Sequence, residues 1–192
     1  MAGADDQTRV LEGLATAVAS KGYADATIAD IVRHARVSKR TFYEHFSDKE
    51  ACFLEAYRRA SEDLQALLLA SHDPELGEAE QIERSVRVYV DALALDPVRA
   101  RTFLLEIYAA GSKALAMRRI VLDEFAALLL RLSRRAHRPT RLPSADMSTA
   151  LVGALHELVL AALERDRPIP SVLPTAVELV QAVIERAEAQ PA

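Results

Sequence analysis

At 192 residues, 51% hydrophobic and 27% charged, the chain can bury a substantial core as one large or two small domains. A single cysteine, Cys52, excludes an intramolecular disulfide framework and a multi-cysteine zinc site, which suits a reducing, cytoplasmic setting. The net charge of −4 excludes a uniformly basic surface, although binding to a polyanion depends on the local field rather than the total.

The acidic opening Met-Ala-Gly-Ala-Asp-Asp lacks the basic-then-apolar order of a secretory signal. Glu, Arg, Asp or His interrupts every apolar stretch, so no membrane span or membrane partner is expected. Helical periodicity dominates and no alternating β-branched run is bounded by turns, which predicts an all-α fold. Val10, Leu11, Leu14, Ala17 and Val18 form one apolar stripe that ends at Lys21-Gly22. Thr27 and Asp30 have the spacing of a capping box, with Ile28, Ile31 and Val32 as the buried face behind it. Ser38 can cap a short helix anchored by Phe42 and Phe46. Ser47 with Glu50 predicts a second capping box, opening a long helix through about Leu69.

The stretch from Ser71 to Gly77 reads as a break, and helices are predicted at about 79–95, 97–109, 112–136, 144–165 and 171–189. Asp96-Pro97, Gly111-Ser112, Arg138-Pro139, Pro143-Ser144 and Pro168 to Ser171 punctuate them. Pro174 is tolerable in the first turn of the last helix, and Ala189 to Ala192 are expected to fray.

Residues 27–50 carry the chemistry. Two short helices are joined by a tight turn at Ala35-Arg36-Val37, the spacing of a helix-turn-helix. Reading DNA this way needs a second helix anchored on one side and polar on the other. Phe42 and Phe46 supply the anchor, and Lys39, Arg40, Thr41, Tyr43 and His45 offer donors elsewhere on the helix.

Thr-x-x-x-Ile from Thr27, Val-Ser-Lys-x-Thr-Phe-Tyr-x-His-Phe from Val37, and Lys49-Glu50 resemble the signature of TetR-family DNA-binding domains. The likeness runs from about Arg9 to Tyr57. It implies an N-terminal three-helix helix-turn-helix domain over 1–60 and a C-terminal helical ligand-binding and dimerisation domain over 61–192. It also implies that Thr27 contacts phosphate, that Ser38 opens the reading helix, and that Lys39, Arg40 and Thr41 enter the major groove. Tyr43, His45 and Lys49 would meet the flanking backbone. Arg40 could read guanine bidentately, worth roughly 1–3 kcal/mol of discrimination. The family often has Gly at the turn position held by Arg36. Either the turn differs slightly, or Arg36 accepts a left-handed conformation at roughly 1–2 kcal/mol and adds a phosphate contact.

The two last predicted helices are apolar on more than one side, through Leu151, Val152, Leu155, Val159 and Leu163, then Val172, Val177, Val180 and Ile184. A two-fold four-helix bundle between two copies buries them most simply. The resemblance agrees, and it suggests a small-molecule pocket in the preceding helices with Tyr89, Phe103, Glu106, Tyr108, Met117, Phe125 and His156 as candidate contacts. No metal and no cofactor are expected. Arg131, Arg134, Arg135, Arg138 and Arg141 form a second basic cluster without interleaved aromatics, read as a solvated surface.

The function expected is a homodimeric, ligand-responsive repressor on a double-stranded, palindromic DNA operator. A DNA-binding factor of the same fold without a small-molecule ligand is the alternative. An all-α enzyme has little support: there is no phosphate-binding Gly loop, no His-Glu-x-x-His pair, and no nucleophile with an evident partner.

Overall fold

The structure is a computed structural model that describes residues 2–133 and 144–189. Arg134, Arg135, Arg138 and Arg141, the Arg138-Pro139 punctuation and the last three residues lie outside the described residues. The chain is all-α, an N-terminal helix-turn-helix domain followed by a C-terminal helical domain, and no strand occurs among the described residues. In chain order the helices are α1 (Ala2–Asp25), α2 (Ile28–Ala35), α3 (Lys39–His45), α4 (Lys49–Ala70) and α5 (Glu78–Leu95). They continue with α6 (Pro97–Leu104), α7 (Ser112–Ser133), α8 (Ala145–Glu164) and α9 (Leu173–Ala189).

Local chemistry accounts for most boundaries. Asp96 accepts a hydrogen bond from Arg99 N at 2.9 Å, and Pro97 lies in the first turn of α6, where a missing N–H does no harm. Ser144 caps α8 by accepting from Met147 N at 3.2 Å. The start of α4 differs from expectation. Asp48, not Ser47, accepts from Ala51 N at 2.7 Å, while Ser47 donates to Asp48 and Glu50 pairs with Lys113 at 2.7 Å. A carboxylate accepts more strongly from an orphan N–H than a hydroxyl does, so Asp48 takes the cap. The helix expected over 97–109 stops at Leu104. A 3₁₀ turn over Glu106–Tyr108 follows, closed by Tyr108 N to Leu105 O (3.3 Å) and Ala109 N to Glu106 O (3.0 Å). Another 3₁₀ turn, Ile169–Val172, leads into α9.

Two compact units emerge, and they do not follow linear order. The first comprises residues 1–61 with 96–119, so α6 and the start of α7 cluster with the N-terminal helices. Val10, Leu14, Ala17 and Val18 on α1 are fully buried in it, as are Ile31, Phe42, Cys52 and Phe53. Tyr23, Phe53, Tyr57 and Phe103 make edge-on ring contacts at 5.0–5.9 Å. Thr102, also fully buried, donates to Val98 O at 2.9 Å and lies 3.2 Å from Ala15 O. Burial pushes the Cys52 thiol well above its ordinary range, so it behaves as a small core hydrophobe.

The second unit comprises residues 62–95 with 120–192. Its core joins Val86, Tyr89 and Val90 of α5 to Leu122, Phe125 and Leu128 of α7. Leu151, Val152 and Val159 of α8 and Val180 of α9 complete it. By length and mean hydropathy (1.4), α8 alone among the described helices could cross a membrane, and only 28% of that window is buried within one chain.

Candidate nucleic-acid interface

The reading head is built on a turn held from three directions. Within α2, Thr27 Oγ1 accepts from Asp30 N (3.2 Å), while Asp30 accepts from Thr27 N (3.1 Å) and Thr27 Oγ1 (2.7 Å). Both Thr27 donors are thereby engaged at the cap. Lys21 at 2.7 Å and Arg33 at 2.9 Å share the other Asp30 oxygen. Asp30 is buried, and the hydrogen bond from Lys21, followed by those from Thr27, holds its carboxyl well below the usual carboxylate range.

At the other end of α2, Arg36 adopts φ 55, ψ 41, the left-handed region. Its N–H donates to Arg33 O (3.4 Å) and Val37 N to Val32 O (3.1 Å), the two bonds of a Schellman ending. Arg36 thus takes the left-handed position that the sequence left open. Arg9 stabilises the turn from α1, donating to Ala35 O (3.2 Å) and Arg36 O (3.0 Å). Sequence reasoning passed over Arg9, and its spacing from the turn, 26 residues along the chain, offers no local signal.

α3 then projects from Ser38, whose Oγ accepts from Thr41 N at 3.0 Å and lies 2.9 Å from Thr41 Oγ1. Phe42 is fully buried and Phe46 nearly so. Their rings lie 5.8 Å apart and fix the helix on its inner side. Lys39, Arg40 and Tyr43 are exposed, and Thr41 and His45 are half-buried. Tyr43 is 57% exposed and leans edge-on against Phe42 at 5.5 Å, an apolar body with its hydroxyl outward. Arg40 Nε donates to Glu44 at 3.0 Å, one turn along the same face. That bond uses one edge of the guanidinium and orients the rest. Glu44 is a residue that the sequence reading did not single out, although the i, i+4 spacing was there to be read.

Lys49 is placed differently from the expected phosphate contact. Its ammonium donates to the carbonyls of Tyr23 (2.6 Å), Ala24 (3.4 Å) and Ala26 (2.8 Å), and sits 4.3 Å over the Tyr23 ring. It therefore caps the end of α1, and burial lowers its pKa. Gly22 supplies the kink that presents those carbonyls, at φ 77, ψ 161. Glu106 serves the same corner from the donor side, accepting from Tyr23 N at 2.7 Å.

The candidate pocket residues separate. Tyr89, Phe125 and His156 line one cavity in the second unit, with a volume of about 140 Å³. Phe103, Glu106, Tyr108 and Met117 are not among its lining residues and belong to the first unit. Phe103 is packed against Phe53 and Tyr57, Glu106 serves the Tyr23 amide, and exposed Tyr108 has Arg118 5.1 Å over its ring. The resemblance suggested all seven for one pocket, but neither it nor helical spacing could say which core each residue enters.

Residues 10–56 match the sequence model of bacterial regulatory proteins of the tetR family. A comparison with curated protein sequences gives no match. Among solved structures the fold is similar to the fatty acid degradation regulator FadR from Bacillus halodurans (TM-score 0.77, 17% identity, 90% of this chain and 96% of that one). It is likewise similar to the transcriptional regulator FadR from Bacillus subtilis in complex with stearoyl-CoA (0.79, 15%, 92% and 98%). A bacterial regulatory protein in the tetR family from Rhodococcus RHA1 is a third (0.68, 18%, 93% and 96%). At such identities the structural likeness establishes the fold, and the sequence match falls on the helix-turn-helix itself. Residues 10–56 thus match the N-terminal, helix-turn-helix model of the tetR family of bacterial regulatory proteins, and the fold of the chain is that of solved regulators of this type.

Proposed function

We propose that this chain is a homodimeric, ligand-responsive repressor that reads a palindromic operator through α3 of each copy and works in the cytoplasm. The observation that carries this reading is the division of α3. Phe42 and Phe46 hold it from within, while Lys39, Arg40 and Tyr43 stand exposed on the Schellman-anchored reading head. Lys39, Arg40 and Thr41 enter the major groove, and Tyr43, His45 and the exposed Arg36 side chain meet the flanking phosphates. Thr27 and Ser38 act chiefly by capping, which aims the N-termini of α2 and α3 at the backbone. Lys49 acts by bracing α1.

The apolar and largely uncovered α8 supports association of two copies through α8 and α9. A two-fold dimer would set two reading heads on successive major grooves. The cavity among α5, α7, α8 and α9 supports an effector site, and the stearoyl-CoA held by the B. subtilis neighbour shows that a protein of this fold can take a small molecule. Effector binding then favours a conformation whose reading heads no longer match the operator, a coupling of typically 1–3 kcal/mol. This is a regulator's chemistry rather than an enzyme's.

Fluorescence anisotropy on the DNA upstream of the chain's own gene, beside a scrambled duplex and across a salt series, tests the reading. Salt-sensitive preference for the upstream DNA is expected. Arg40→Ala should lose about 1–3 kcal/mol of discrimination, whereas Tyr43→Ala should weaken binding to both duplexes alike. Absence of binding to either duplex at low salt, by a folded protein, overturns the proposal.

A further inference from the structure

Resting on the ligand-responsive reading above, we infer that the cavity of the second unit takes a compact, uncharged, ring-containing molecule bearing one hydrogen-bonding group.

Size sets the first limit. The cavity holds about 140 Å³, close to the apolar cavity of roughly 150 Å³ that admits benzene in another protein. A single ring with a short substituent fills such a space, whereas most of a long acyl chain would have to run out through its open side.

Charge sets the second. No Lys or Arg occurs among the described lining residues, and the one carboxylate, Glu78, stands exposed in the first turn of α5. The walls facing inward are aliphatic, with Ile82, Val86, Leu128, Leu129, Leu155 and Val180. An ion taken inside would leave water for largely aliphatic walls with no Lys or Arg among the described lining residues, and that desolvation penalty favours a neutral ligand.

The third limit is the grouping of polar and aromatic atoms. The His156 ring lies 5.9 Å from the Tyr89 ring and 6.0 Å from the Phe125 ring, so three aromatic side chains border one part of the cavity. Such a border suits the face or edge of another ring. His156 Nδ1 lies 3.1 Å from Val152 O, which favours the tautomer with the proton on Nδ1. In that tautomer Nε2 is an acceptor, suited to a hydroxyl or N–H donor. Ser85 and Tyr89, one turn apart on α5, put hydroxyls on the same lining. Gln81 is held elsewhere, accepting from Asp73 N at 2.9 Å and donating to Ser85 at 3.0 Å.

Calorimetry on the full-length protein at neutral pH, with matched one-ring probes, tests this. Benzyl alcohol should bind at least tenfold more tightly than benzoate or benzylamine, and decanoate should not compete with it. His156→Phe keeps the ring and removes the acceptor. It should weaken benzyl alcohol at least fivefold and leave toluene unchanged. Leu129→Trp, which fills the cavity, should abolish both, with helical circular dichroism confirming the fold. The inference is overturned if a charged probe or decanoate binds as tightly as benzyl alcohol, if neither neutral probe binds, or if both variants leave binding intact. Operator anisotropy with the same probes separates this inference from the reading it rests on. Saturating benzyl alcohol without effect on operator affinity leaves the ligand class standing and overturns ligand-responsive repression. Operator release by benzoate or decanoate, lost in Leu129→Trp, does the reverse.

Discussion

Arg36 occupies the left-handed region at the end of α2, a conformation that costs an L-residue roughly 1–2 kcal/mol and glycine almost nothing. Arg36→Gly should therefore stabilise the protein by about 1 kcal/mol, or roughly 2–4 °C in Tm. The same change removes an exposed cation beside the reading helix, so operator affinity and its salt slope should both fall. A thermal melt alongside anisotropy separates the two effects, and an unchanged Tm would show that the turn carries no strain. Asp30 makes a second residue-scale prediction. Its folded pKa is depressed by Lys21 and Thr27, so its contribution to stability is complete above the unfolded carboxylate range, near pH 4. That contribution is lost as pH falls from there toward the folded value. The urea-midpoint difference between wild type and Asp30→Asn should be widest near pH 7 and shrink below pH 4. A gap that stays constant down to pH 3 would remove the charged network from the account.

At the scale of elements, the reading head depends on how closely α1 and α2 approach. A Cβ at Gly13 would lie 2.7 Å from both Ala35 N and Ile31 O, backbone atoms that cannot swing aside. Gly13→Ala should cost roughly 1–3 kcal/mol through overpacking, despite the better helix propensity of Ala. Its Tm should drop, and a melt equal to wild type would mean the helices can separate freely. The Thr27 cap and the apolar stripe of α1 were legible in the residues, because both obey local spacing rules. The α1–α2 approach was not, since Gly13 interrupts no helical pattern. The α4 cap was misread for a related reason: Ser47 and Asp48 both satisfy the capping rule, and only geometry chose between them.

At the scale of the whole molecule, Gly153 on α8 has no neighbour among the described residues within 4 Å of a would-be Cβ and no positive φ to require glycine. Among the described residues nothing requires its smallness, which leaves it available to the close packing of a second copy on α8 proposed above. Gly153→Glu should leave the helical content intact and weaken dimerisation. An unpaired buried charge costs several kcal/mol, and about 3 kcal/mol corresponds to roughly 100-fold in Kd. Sedimentation across a concentration series checks this, and a variant that associates like wild type would place the interface elsewhere.

The order of residues 27–50 was sufficient to identify the reading head, because a helix-turn-helix is a local motif whose caps, anchors and exposed donors lie within a few turns of one another. The same holds for the all-α character and for most helix boundaries. Tertiary structure decided the rest. Lys49 looks like a phosphate donor in its own neighbourhood, yet carbonyls 23–26 residues away claim its ammonium. Glu106 looks like a pocket residue, yet an amide 83 residues away claims its carboxylate. Phe103 and Phe125 share the same helical apolar signature and enter different cores. Spacing along a helix specifies which residues share a face. What that face meets depends on contacts between distant segments, which short-range periodicity does not encode.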